Sequence, residues 1–142
     1  MIVLDTNVIS EAMRDVPDRS VAEWLAEQTV SDLATTTLNI AEIKFGFALL
    51  GRTRRRGELE ARFQRLAAQG FESRILGLDA LAADAYGDLA AARQRSGRRI
   101  GSFDGLIAAI ALSRGASIAT RDVRDFSDCG VPLINPWDAR SA

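Results

Sequence analysis

The sequence has no histidine and a single cysteine, Cys129, in 142 residues. The missing histidine excludes Ser-His-Asp and Cys-His triads and every imidazole acid, base or metal ligand. A lone cysteine forms no internal disulfide, and with no second sulfur and no histidine a soft-ligand zinc site is excluded as well. No apolar run approaches the roughly 20 residues of a membrane span. The N-terminus lacks the basic start and long apolar centre of a signal peptide, so the expected location is the cytoplasm, with no membrane partner. Chemistry, if present, falls to carboxylates, hydroxyls, arginines or a hard metal ion.

What the chain does have is the balance of a soluble globular protein, 47% hydrophobic and 26% charged, in a length that fits one domain over residues 1–142. The net charge of -1 hides an uneven distribution, because 17 of the 18 basic residues are arginine. Many fall in "RTRRR" (52–56) and "RQRSGRR" (93–99). The planar guanidinium fork suits phosphate. A GC-rich genome with solvated helix faces gives the same enrichment, and both readings stand at this level.

Along the chain, short apolar runs alternate with segments of helical period. "IVLD", "DLATTT", "SRILGLD", "ASIATRD" and "VPLINPW" read as strands. Between them, "NVISEAM", "RSVAEWLAEQ", "NIAEIKFGFALLG", "ELEARFQRLAAQG", "ALAADAYGDLAAARQR" and "SFDGLIAAIALSRG" read as helices. Ser20 and Glu23 have capping-box spacing, and Gly70 stands where a C-cap is expected. Leu59, Phe63 and Leu66 form one apolar stripe. The alternation implies an α/β fold, three layers α/β/α around a central, mostly parallel sheet.

In such sheets ligands bind beyond the carboxyl ends of the strands. Asp5 ends the first strand, Glu42 follows the second, Asp104 lies in the first turn of a helix, and Asp122 ends "SIATRD". Each has an ordinary structural explanation. Asp5 can cap the following helix, and Glu42 stands three residues after Asn39 at capping-box spacing. Asp104 suits a helix dipole, and Asp122 and Asp125 suit turns. Taken together the acids say more, because several carboxylates at one sheet edge repel unless they share protons or a cation. Oxygen-only ligands point to Mg²⁺ or Mn²⁺.

At these residues the chain resembles a known family. "VLDTN", "NIAEIKFG", "FDGLIAAIA", "ATRDVRDF" and "PLINPW" together are similar to the PIN-domain ribonucleases, specifically the toxins of VapC-type toxin–antitoxin pairs. The similarity runs from residue 2 to about residue 137. It implies Mg²⁺-dependent RNA cleavage, a homodimer and inhibition by a cognate antitoxin. Asp5, Glu42 and Asp104 match the family's metal-binding acids and Asp122 its fourth, where many relatives carry Asn. Thr6 and Asn7 match the polar positions after the first acid, and Thr120 the threonine before the fourth. Asp125 is a further contributor on this reading.

The chemistry is consistent with that resemblance. Phosphodiester hydrolysis needs an activated water and relief of charge on the phosphoryl oxygens, and a carboxylate-bound Mg²⁺ gives both without histidine. Arg98 and Arg99, just before Asp104, are the expected contacts to the RNA backbone. Trp24, Leu25, Phe45, Phe47 and Leu49 offer apolar surface for an antitoxin helix, with Trp24 or Phe47 expected to stay partly exposed. Two other classes remain open, a phosphoacceptor signalling domain and a non-catalytic binding module. The first usually places a lysine after a late strand, and the sole lysine here is Lys44.

Overall fold

A computed structural model of the protein describes residues 1–138. The last four residues of the expected domain, 139–142, lie outside the described residues. The strands are β1 (Ile2–Leu4), β2 (Leu33–Thr36), β3 (Ile75–Leu76), β4 (Ser117–Ala119) and β5 (Leu133–Ile134). The helices are α1 (Thr6–Ala12), α2 (Arg19–Glu27), α3 (Thr37–Leu49), α4 (Arg54–Gln69), α5 (Ala80–Arg95) and α6 (Ser102–Ser113). The strands form one five-stranded sheet in the order β3-β2-β1-β4-β5. Every pairing is parallel.

Side-chain alternation splits the core into two layers, because successive residues of a strand face opposite sides of the sheet. Val3, Ala34 and Ile118 pack with Leu89, Ile107 and Ile110 of α5 and α6. Their chain neighbours Leu4, Leu33 and Ala119 pack with Val8, Trp24, Ile43 and Phe63 of α1 to α4. The sheet is thus covered on both faces.

Local signals explain most element ends. Asp79 caps α5 by accepting from Ala82 N, and Thr53 caps α4 by accepting from Arg56 N. The "RTRRR" cluster is therefore mostly the first turn of α4, where Arg54 and Arg56 pair with Glu58 and Glu60 one turn on. The Ser20–Glu23 capping box does not form. Asp18 caps α2 through Ser20 N and Val21 N, and Glu23 pairs with Arg19.

Two features position the site. The chain lays β2 and β3 on one side of β1, then crosses to the other side for β4 and β5, so the switch point lies between β1 and β4. The first turn of α6 is held against α5 at Gly105, where an added Cβ would stand 2.9 Å from Tyr86 Cε2. Asp104, the residue before it, stands in the first turn of α6.

Candidate active site

Asp5, Glu42, Asp104 and Asp122 line one pocket, together with Thr6, Asn7 and Ser10. The pocket sits at the switch point. Its lining holds four carboxylates and no basic side chain.

Asp5 stands in the N-cap position of α1 but makes no side-chain cap bond. Its carboxylate is instead tied sideways to two other elements. Oδ1 accepts from Asn39 Nδ2 at 3.0 Å, and Oδ2 accepts from Thr120 Oγ1 at 2.8 Å. Each oxygen keeps a lone pair free for a further partner. The strand register puts Thr120 there, since Leu4 pairs with Ala119 and Asp5 N donates to Ala119 O at 2.9 Å.

Glu42 does not cap α3 either. The reciprocal capping box is made by Thr36 and Asn39, one turn earlier. Glu42 Oε1 accepts from Thr6 Oγ1 at 2.9 Å, and Thr6 Oγ1 in turn accepts from Asn39 Nδ2 at 3.1 Å. Across the pocket, Asn7 Nδ2 donates to Asp122 Oδ2 at 3.0 Å, and Asp122 N donates to Thr120 Oγ1 at 2.9 Å. The hydroxyls and amides named from the sequence therefore orient the acids. Asn39, fully buried, was not singled out for this role, although an amide inside an apolar helix is the signal that marks it.

The electrostatics follow from burial and like charge. Burial is the main cause that raises Asp5, with the Asp122 charge adding to it, while bonds from Thr120, Thr6 and Asn39 pull the other way. Glu42 is raised by burial first and by the Asp5 charge second, against its bond from Thr6. Asp104 is pushed up to about 6 by burial, then by the charges of Asp5, Asp125, Glu42 and Asp122 in that order. Asp125 is outside the pocket lining, yet its charge is felt at Asp104 more than that of Glu42.

One expected RNA contact already has partners within the chain, and one expectation needs correction. Arg98 is tied into the loop after β4, donating to Asp128 Oδ2, Arg124 O and Ser127 Oγ at 2.9, 3.1 and 2.8 Å. The Arg98 side chain is still 43% exposed, and Arg99 beside it is exposed as well. Trp24 and Phe47 are 7% and 4% exposed, because both are absorbed into the core beneath α1 to α4. Of the five residues named for that surface, Phe45 and Leu49 are exposed, at 65% and 71%.

The donor set suits a hard divalent cation. It is all oxygen, and a cation relieves the like-charge repulsion that adds to burial in raising Asp104. Among the described residues no group of three acids stands ready to hold a metal ion.

Comparison with known proteins gives the same picture. The PIN domain model matches residues 2–131. The VapC ribonuclease Y4jK of Sinorhizobium fredii is 40% identical over 97% of this chain and 99% of its own. The crystal structure of FitAcB from Neisseria gonorrhoeae has a TM-score of 0.88 at 35% identity, covering 96% of this chain and 99% of that one. VapBC-5 of Mycobacterium tuberculosis, from the VapBC family of toxin-antitoxin systems, gives a TM-score of 0.66 at 29% identity, covering 94% and 96%. With the fold, the switch-point acids and these relatives in agreement, the chain belongs to the PIN-domain family, beside the VapC ribonucleases.

Proposed function

We propose that this chain is the ribonuclease toxin of a toxin–antitoxin pair and hydrolyses RNA phosphodiester bonds at the acid pocket with Mg²⁺ or Mn²⁺. The observation that carries the mechanism is the convergence of four carboxylates, with no basic side chain, in one pocket at the switch point. Relatives that are VapC ribonucleases and toxin–antitoxin proteins support the activity and the biological setting.

Asp5, Glu42 and Asp104 would hold the ion directly or through water, with Asp122 as the fourth acid. A divalent ion there supplies Lewis-acid polarisation of the phosphate and a water of lowered pKa. The protein's own part is orientation. Thr120 and Asn39 fix both oxygens of Asp5, Thr6 fixes Glu42, and Asn7 fixes Asp122. Fixed carboxylates spare the site reorganisation when the substrate arrives. Asp125 adds negative charge beside Asp104 and strengthens cation binding without lining the pocket.

The same reading gives a single PIN-like domain over residues 1–142, a homodimer, a cytoplasmic location and a cognate antitoxin protein as inhibitor. No described helix is long and apolar enough to cross a membrane. The deciding experiment incubates purified chain with single-stranded RNA in Mg²⁺, Mn²⁺ or EDTA, beside Asp104→Asn. Cleavage that needs the ion and disappears in the variant is expected. Fragments that persist in EDTA or in Asp104→Asn would sink the metal mechanism.

A further inference from the structure

A second groove opens beside the acid pocket and shares Thr6, Ser10 and Glu42 with it. Residues of α1, α3 and α4 line it, with Met13, Ile43, Phe47 and Leu59 providing apolar walls. Besides Glu42, the charged residues lining it are Arg14 and Arg55. The groove therefore combines a carboxylate shared with the acid pocket, an apolar lining and two guanidiniums.

Of the two guanidiniums, that of Arg55 is the more loosely held. Arg14 pairs with Glu11 at 3.1 Å, and Arg55 pairs with Asp15 at 3.2 Å and Glu58 at 3.6 Å. Both arginine side chains remain more than two-fifths exposed, at 65% and 44%. The Arg55 pairs are open at both ends and so are weak and yield to another anion, whereas Glu11, the partner of Arg14, is only 8% exposed and keeps Arg14 more firmly.

We propose that this groove is a nucleoside subsite, which takes one unstacked base of the RNA next to the scissile phosphate. The proposal rests on the reading of the acid pocket as the catalytic centre, and it adds where a base beside the scissile phosphate is held. A nucleobase has apolar faces and polar edges, which matches apolar walls bordered by the exposed hydroxyl of Ser10. The neighbouring backbone phosphate then has Arg14 or Arg55 within the same groove, and arginine binds phosphate well. Bases in a duplex are stacked and paired and cannot enter such a groove. The substrate is accordingly single-stranded RNA or an open loop. An apolar groove also suits a peptide helix, but continuity with the acid pocket and the two arginines favour the nucleotide chain.

Gly46 provides a test that leaves the acids untouched. It lines the groove on α3, and a Cβ built there meets nothing within 4 Å. Gly46→Leu fills the groove while improving helix propensity, and Gly46→Ala leaves it mostly open. The assay uses a single-stranded oligoribonucleotide that the wild type cuts at one position, with abasic replacements scanned on either side. Gly46→Leu is expected to keep the wild-type stabilisation by Mg²⁺ and to lose about tenfold or more in kcat/KM. Gly46→Ala should stay near wild type. One abasic position should cost the wild type a similar factor and cost Gly46→Leu little more.

The proposal is overturned if Gly46→Leu cuts as well as wild type, if no abasic position matters, or if the two losses multiply in full. Intact cleavage with lost antitoxin inhibition would make the groove a protein-docking site and overturn it too. A wild type that cuts no RNA in Mg²⁺ or Mn²⁺ fails at the ribonuclease reading itself, and the subsite falls with it.

Discussion

Thr120, one residue past β4, donates a 2.8 Å hydrogen bond to Oδ2 of Asp5, one residue past β1. The bond crosses the topological switch point and joins the two halves of the chain at the acid pocket. Thr120 Oγ1 also accepts from Asp122 N at 2.9 Å, so one buried hydroxyl sets two acids at once. Thr120→Val keeps the shape and removes both bonds, together with the 3.3 Å bond that Thr120 Oγ1 accepts from Asn7 Nδ2. It should lower stability by about 1–3 kcal/mol, the cost of leaving buried polar groups unpaired. Since that bond also lowers the Asp5 pKa, the loss should be larger at pH 8 than at pH 4. Urea melts at the two pH values measure it, and an equal loss at both would count against the coupling.

The acids also make a prediction about pH. Asp104 titrates near 6 in the folded protein against 3.8 for the ordinary carboxyl, so the native state holds a proton that the unfolded chain has released. Asp5 and Glu42 are shifted the same way. Stability in EDTA should therefore be fully present below pH 4 as far as these groups go, and fall as pH rises through about 6. Asp104→Asn should flatten that fall and melt at least as high as wild type at pH 8. The helix-dipole alternative gives the opposite sign, a loss of a few tenths to about 1 kcal/mol. Mg²⁺ should stabilise wild type at pH 8 by about 2.7 kcal/mol at a hundredfold excess over Kd, and the variant less. Equal Mg²⁺ shifts in both proteins would show that Asp104 takes no part in binding.

Asn39 links three groups that sequence spacing kept separate. It donates to Asp5 Oδ1 and Thr6 Oγ1, and its Oδ1 accepts from Thr36 Oγ1 at 2.6 Å. Asn39→Ala leaves Asp5 short of a donor inside the core. The expected cost is about 2–3 kcal/mol of folding stability. Activity should fall by more than the unfolded fraction explains, because Glu42 loses its support through Thr6. Activity at a temperature well below the melt of the variant checks the second part. A loss that simply tracks the unfolded fraction would make Asn39 a structural residue alone.

Much of this was legible in the sequence, and for identifiable reasons. The helical period of "ALAADAYGDLAAARQR" defines α5 at the residues where it forms. The strand-following acids could be named because a carboxylate after an apolar run stands out. Their convergence depends on the strand order, and the crossing from β3 back over β1 to β4 leaves no local pattern. Caps were harder, since Asn39 and Glu42 have the same spacing as the Thr36 and Asn39 pair that actually forms the box. Burial of Trp24 and Phe47 was also hidden. Period places a residue on a face, but whether that face meets solvent or α4 is decided by tertiary packing, here by Phe63 edge-on to Phe47 with centroids 6.0 Å apart.

The two neighbouring arginines, Arg98 and Arg99, give the sharpest remaining contrast. Arg98 holds Asp128, which sits in a left-handed conformation at φ 60°, and spans the loop from Arg124 to Ser127. Arg99 is exposed on the segment that leads into α6 and Asp104. If only Arg99 meets the RNA backbone, Arg99→Ala should raise KM and reduce the slope of log KM against log salt concentration by about 0.7, the value for one contact to a single strand. Arg98→Ala should leave that slope unchanged, and its damage should appear as a lower melting temperature of the loop-bearing protein. Steady-state cleavage of one oligoribonucleotide from 50 to 200 mM KCl measures both slopes. A reduced slope in Arg98→Ala would show that Arg98 meets the RNA backbone as well as the loop.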